Sequence, residues 1–266
     1  PDVLIDHWSN NIGYAIWGFK DTLEWDISGI IKSGEKYNPS LSYVQTVFDE
    51  WKKEAPDIAA IGFINYNFKD ILYKHISFKN SNSNIPYLFF GFPDLIKKYK
   101  IEPIDHIISN ISLEKDLEQY QLYKAKIDKI KLKLKKGNVY QINYTNDKSY
   151  SLNHSPFELF LHLRNKSQPK YGYYMKYKNH HILSFSPELF FKKEKNIIQS
   201  TPMKGTRKRS RNLEHDKKLK FELKNSIKDR AEHLMIVDLI RNDLGKIAVS
   251  GTIKVDDIFK VESHKQ

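Results

Sequence analysis

The sequence predicts an α+β fold. Short apolar and aromatic runs separated by turn residues fill the chain up to about residue 105. A long stretch rich in Leu, Glu, Gln and Lys follows, and a second group of short runs then ends in two helical segments. No strand–helix–strand alternation occurs, so a Rossmann-type sheet is not expected. Hydrophobic residues make up 40% of the 266, enough for a substantial core and too many for disorder.

Residues 1–105 are expected as a β-rich region, with strands over Ile58–Tyr66 and Tyr87–Phe92, a loop at NSNSN (80–84) and a turn at GFPD (91–94). Residues 106–266 are expected as a second region. It opens on a helix from about Leu113 to Lys136, closed by Gly137 and lined with lysines as a solvated face. NVYQINYT (138–145) alternates polar and apolar residues, the period of a strand with one polar face. SPFELFLHLR reads as a short amphipathic helix. KYGYYMKY, HILSFS, ELFFKK and NIIQSTPM read as consecutive strands of one antiparallel sheet, with a tight turn at Asn179–His180. Helices are expected near 212–223 and 226–241.

Composition excludes several chemistries. There is no cysteine, so disulfides, thiolate metal sites and cysteine nucleophiles are out, and a reducing compartment fits. No apolar run approaches the ~20 residues of a membrane span, and PDVLIDHW lacks the layout of a signal peptide. A soluble cytoplasmic protein is expected. The net charge of +12 raises nucleic-acid binding, but only six of the 44 basic residues are arginine, the residue suited to bidentate phosphate and base contacts. The charge reads as solubility, with some attraction for an anionic substrate.

Three groups carry chemistry. STPMKGTRKRS (200–210) sets Lys204 in a Pro-Thr-Gly turn, which reads as a nucleic-acid patch, a targeting signal or a solvated basic loop, or else as an amine activated by desolvation and the arginines at 207 and 209. SFSPELFF places Glu188 just after a Ser-Pro break, where a hairpin would bring it near Lys204. DRAEHLMIVDLIRND is apolar nearly all round, the pattern of a buried helix, yet carries Glu232 and Asp238. Arginines 230 and 241 would pair Asp238. Glu232, with no obvious cation at helical spacing, is either a Mg²⁺ ligand or part of a buried ionic network.

The ordered set GNVYQINYT (137–145), SFSPELFF (184–191), STPMKGTRKR (200–209) and DRAEHLMIVDLIRNDLG (229–245) resembles the chorismate-binding enzymes, among them component I of aminodeoxychorismate synthases. The resemblance implies their fold of large antiparallel sheets flanked by helices, with residues 106–266 as the first part of the catalytic domain. Those synthases carry lysine at the position of Lys204, where anthranilate synthases typically carry alanine. Isochorismate and salicylate synthases carry a water-activating lysine at the position of Gln141. The resemblance therefore implies 4-amino-4-deoxychorismate as product, made from chorismate and ammonia. It assigns Lys204 as nucleophile, Glu188 as acid, Glu232 as Mg²⁺ ligand, and Gly205, Thr206 and Gln141 as substrate contacts. It also implies a glutamine amidotransferase subunit as partner. Met203 stands where isoleucine is usual, and QPKYGYY (168–174) departs from the Asn-Pro-Ser-Pro-Tyr pattern of the family's tryptophan site. The family continues past the position of Gln266 with a histidine, a glycine-rich segment, a substrate arginine and further metal carboxylates, so only part of the site is expected here. Anthranilate or isochorismate chemistry, an inactive truncated homologue and a basic binding module are the alternatives.

Overall fold

A computed structural model describes residues 1–55, 57–78, 84–103, 108, 111–116 and 120–264. In chain order these form β1 (Val3–His7), β2 (Ile12–Asp26), β3 (Gly29–Lys32), β4 (Glu35–Tyr37), α1 (Leu41–Glu54), β5 (Ile61–Ile64), α2 (Lys69–Leu72) and β6 (Leu88–Lys100). Then come β7 (Ile111–Asp116), α3 (Tyr120–Lys135), β8 (Lys148–Leu152), α4 (Pro156–Ser167), β9 (Tyr171–Tyr177) and β10 (His180–Ser186). The last elements are β11 (Leu189–Glu194), β12 (Ile197–Thr201), α5 (Leu213–Asn225) and α6 (Ile227–Gly245). Two units result, Pro1–Glu102 with Gly172–Ser184, and Pro103–Tyr171 with Phe185–Gln266.

The first unit is built on the long strand β2. It pairs antiparallel with β1, β3 and β6 in an eight-stranded sheet whose main path runs β10-β9-β1-β2-β3-β4, while β5 pairs with β6. The expected turn at GFPD is instead the middle of β6. Pro93 is tolerated there because the β2–β6 register shifts between Phe19 and Asp21, and a bulge is where a strand can carry a residue without an N–H. Gly13 in β2 leaves room for the Tyr99 ring, whose hydroxyl donates to the buried Asp6. One face holds Leu23, Trp25, Ile30, Val44, Val47, Trp51, Phe68, Leu88 and Phe92, with α1 supplying Val44, Val47 and Trp51. A second cluster gathers Val3, Ile16, Ile61, Phe89, Met175 and Tyr177. The strand expected over Ile58–Tyr66 is confined to β5. The loop expected at 80–84 falls mostly outside the described residues.

The four consecutive strands do not share one sheet. β9 pairs with β1, carrying β10 with it, whereas β11 and β12 form a separate two-stranded ribbon. Pro187 separates the two hairpins and offers no N–H to continue a ladder. The β9–β10 turn is Lys178–Asn179, with Lys178 at φ +50, one residue before the expected position.

In the second unit the expected helix 113–136 begins later. Ile111–Asp116 pairs with β8, a long-range ladder that overrides helical propensity, and α3 starts at Tyr120. NVYQINYT forms no strand, and β8 lies just beyond it. α4 starts where its sequence says it should: Ser155 and Glu158 make a reciprocal capping box and Pro156 occupies the first turn. Phe160 is fully buried and stacks on Phe185 at 5.4 Å. α5 and α6 fall where expected, but α6 is not a buried helix. Val237 is its one buried residue, and Leu234 and Leu239 are exposed.

Candidate active site

The site is assembled within the second unit by a turn, a ribbon and a helix start. In Ser186-Pro187-Glu188, the Ser186 hydroxyl accepts the Glu188 N–H at 3.1 Å and donates to the Glu188 carbonyl at 3.0 Å, a side-chain turn that fixes Glu188 before β11. The ribbon pairs Leu189 with Thr201, and the Ser200 hydroxyl donates to the Phe190 carbonyl at 2.6 Å. Residues 202–206 therefore leave β12 beside Glu188, whose Oε1 accepts the Met203 N–H at 2.9 Å. Sequence order alone does not require that meeting. The carboxylate of Glu188 sits one residue from Lys204.

Gly205, on the other side of Lys204, adopts φ +75, and a Cβ there would come within 2.9 Å of the Asp229 side chain. The turn thus lies against the first turn of α6, where Ser226 caps the helix by accepting the Asp229 N–H at 3.3 Å. Arg207 Nη2 reaches Asp229 Oδ2 at 2.7 Å, and its Nη1 donates to the Thr206 carbonyl at 2.9 Å. The Ser226 hydroxyl, then Arg207, hold the Asp229 carboxyl below the usual carboxylate range against the opposing effect of burial. Arg209 makes a forked pair with Asp216, at 2.8 Å from Nε and 2.9 Å from Nη2, which depresses the Asp216 carboxyl. The two arginines expected to press on Lys204 as bare cations are thus each engaged with a carboxylate.

A cavity of about 90 Å³ is lined by Lys204 together with Gly205, Asp229, Arg230, His233 and Phe259. The guanidinium of Arg230 lies 3.8 Å from the Phe259 ring centre, and His233 Nδ1 is shielded with no hydrogen-bond partner among the described residues. A larger cavity of about 330 Å³ shares Met203 and Gly205 and is bordered by Thr206, Arg209, Lys170 and Glu262.

Lys204, Gly205 and Thr206 therefore share one turn, with Glu188 hydrogen-bonded to it. Glu232 stands on α6 one turn beyond Asp229 and lines neither cavity. It does have a cation at helical spacing, Lys228, at a loose 3.7 Å. Asp238 pairs with Arg241 at 3.0 Å, as expected, but on an exposed surface. Gln141 also lines neither cavity, and its Oε1 is shielded without a partner among the described residues. Asp229 and its pairing with Arg207 escaped the sequence reading, although Ser226-x-x-Asp229 is a visible helix-start pattern. No group of three or more His, Cys, Asp or Glu forms a metal cage among the described residues. A Mg²⁺ ion that keeps waters and takes oxygen from its substrate needs only one or two protein carboxylates. The partly exposed, weakly paired Glu232 fits one such role.

This fold and this ordered set of motifs define a class. The chain belongs to the chorismate binding enzyme family, which residues 105–266 match. Anthranilate synthase component 1 of Saccharolobus solfataricus is 32% identical over 224 residues, covering 77% of this chain and 52% of that protein. Aminodeoxychorismate synthase component 1 of Bacillus subtilis is 26% identical over 275 residues, covering 88% and 58%. The Escherichia coli protein of the same name is 37% identical over 140 residues, 53% of this chain and 31% of its own length. The chain thus spans little more than half the length of the first two. A structure of a putative 2,3-dihydroxybenzoate-specific isochorismate synthase from Bacillus anthracis superposes with a TM-score of 0.65 at 16% identity, covering 92% of this chain and 60% of that one. Anthranilate synthase component I of Streptococcus pneumoniae gives 0.61 at 18% identity, covering 96% and 67%. At these identities the likeness is one of fold.

Proposed function

We propose that the protein carrying this sequence is component I of an aminodeoxychorismate synthase, with residues 1–105 as its N-terminal region and 106–266 as the first part of its catalytic domain. The observation that carries the reading is a lysine at position 204, in a turn whose preceding N–H is bound by Glu188. The neutral Lys204 amine attacks C2 of chorismate, both conjugated ring double bonds shift toward C4, and the C4 hydroxyl leaves as water with a proton from Glu188, the newly bonded nitrogen giving up its extra proton to solvent. Ammonia then adds at C4, the two double bonds shift back and the lysine leaves C2, so one difficult substitution becomes two easier ones. Glu232 would hold a Mg²⁺ ion, which would offset the charge of the substrate carboxylate. Gly205, Thr206 and Gln141 would contact the substrate. These 266 residues hold no cysteine for the thioester of glutamine hydrolysis, so ammonia would come from solution or from a glutamine amidotransferase outside them, proposed here as a partner subunit. The absence of cysteine also suits the cytoplasm, and no described helix is long and apolar enough to cross a membrane. Neither nucleic acid nor membrane is assigned as a partner.

The test is a mass increase on the PMKGT peptide of the complete protein when chorismate is supplied and ammonia withheld. Lys204→Ala and Lys204→Arg should both abolish it, since a guanidinium keeps its proton and cannot attack. A Lys204→Arg protein that keeps the full rate would return Lys204 to a surface charge. Anthranilate synthesis is the second reading, favoured by the Saccharolobus relative. Anthranilate among the products, in place of 4-amino-4-deoxychorismate, would establish it.

A further inference from the structure

We propose that Asp229 and Arg207 form a clasp that positions Lys204, which rests on the reading of Lys204 as a nucleophile. Lysine is a flexible four-carbon arm, so its aim depends on how firmly its backbone is held. The backbone is held on both flanks. Before Lys204, the Met203 N–H is bound by Glu188 at 2.9 Å. After it, Gly205 at φ +75 packs against Asp229 so closely that a side chain there would strike it. Arg207 closes the far end by bridging the Thr206 carbonyl and Asp229 at 2.9 and 2.7 Å.

Asp229 is itself fixed. Its N–H is capped by Ser226, and its side chain is 14% exposed, whereas that of Arg207 is 35% exposed. It lies three residues before Glu232, a spacing that shares a helix face. The clasp therefore ties the turn bearing the amine to the helix bearing Glu232. The pair is partly buried, so its removal can cost stability as well as aim, and thermal melts separate the two. A misplacement of about 1 Å costs a reaction roughly 100-fold.

The test compares Asp229→Asn, Arg207→Ala and Arg207→Lys with wild type in the complete protein, with Lys204→Ala as control and thermal melts to verify folding. The first readout needs no activity: the acetylation rate of Lys204 by acetic anhydride, relative to the exposed Lys195, from peptide masses. Asp229→Asn and Arg207→Ala should change that ratio roughly threefold or more and lower kcat about 10- to 100-fold at nearly constant KM, while Arg207→Lys restores most of both. An unchanged labelling ratio in folded Asp229→Asn and Arg207→Ala would overturn the clasp, as would a loss confined to KM. Should Asp229→Asn fail to fold, Arg207→Ala against Arg207→Lys decides the same point. Turnover that survives Lys204→Ala would instead sink the nucleophile, leaving the labelling ratio to judge the clasp by itself.

Discussion

The two units meet their apolar demand very differently. In the first, β2 and α1 sink Ile16, Leu23, Trp25, Val47 and Trp51 almost completely. In the second, helices and ribbon of comparable apolar content leave it in the open: Phe190 is 85% exposed, Phe221 69% and Leu239 59%. Among the described residues its burial falls to a few side chains such as Phe160, Leu161, Arg164 and Val237. Apolar periodicity in a sequence thus records a demand for cover, and not whether the same stretch of chain supplies it.

The comparison breaks most sharply at Trp51. Its ring stacks on Phe92 and its indole N–H donates to Asp21 at 2.9 Å, so Trp51→Ala should cost about 3–5 kcal/mol in urea unfolding. Leu239→Ala on α6 should cost within about 0.5 kcal/mol, because no buried contact is lost. Similar losses from both would erase the contrast between the units.

An intermediate effect is expected at Asp21. Burial works to raise its carboxyl, but hydrogen bonds from Ser33, Trp51 and Thr22, with the Lys32 ammonium, outweigh it and hold the group below the usual range. Asp21→Asn should lose about 1–3 kcal/mol at neutral pH. A carboxyl depressed on folding stabilises above its unfolded value of about 3.9, and that contribution goes as pH falls through the lower folded value. The difference between wild type and Asp21→Asn should therefore close in acid titration, and a gap that persists at pH 2 would contradict the assignment. The smallest effect is Arg241→Ala. Its pair with Asp238 is exposed, and the change in melting should be near the limit of measurement.

What the sequence made legible was local. The start of α4 is written in Ser155, Pro156 and Glu158, and the bounds of α5 and α6 in Asn212 and Ser226. What it hid was pairing at a distance. Leu113 reads as helix until β8 claims it, and Tyr171–Tyr177 reads as one sheet with β11 and β12 until β1 claims it. The site divides along the same line. Lys204 and Glu188 stand out as residue types in a motif, whereas Asp229 matters only once Gly205 folds onto it.

The return of β9 to β1 has a consequence for the order in which the molecule is made. A ribosome finishes residue 102 with one side of β1 still unpaired, since its partner lies beyond residue 170. At roughly 5–20 residues per second, β9 and β10 follow some 4–16 seconds later. During that interval β1 presents an open row of N–H and C=O groups, a template for any passing strand. The first unit thus cannot close until residues 172–184 have followed, and a translational pause between residues 102 and 184 would lengthen its exposure to misassembly.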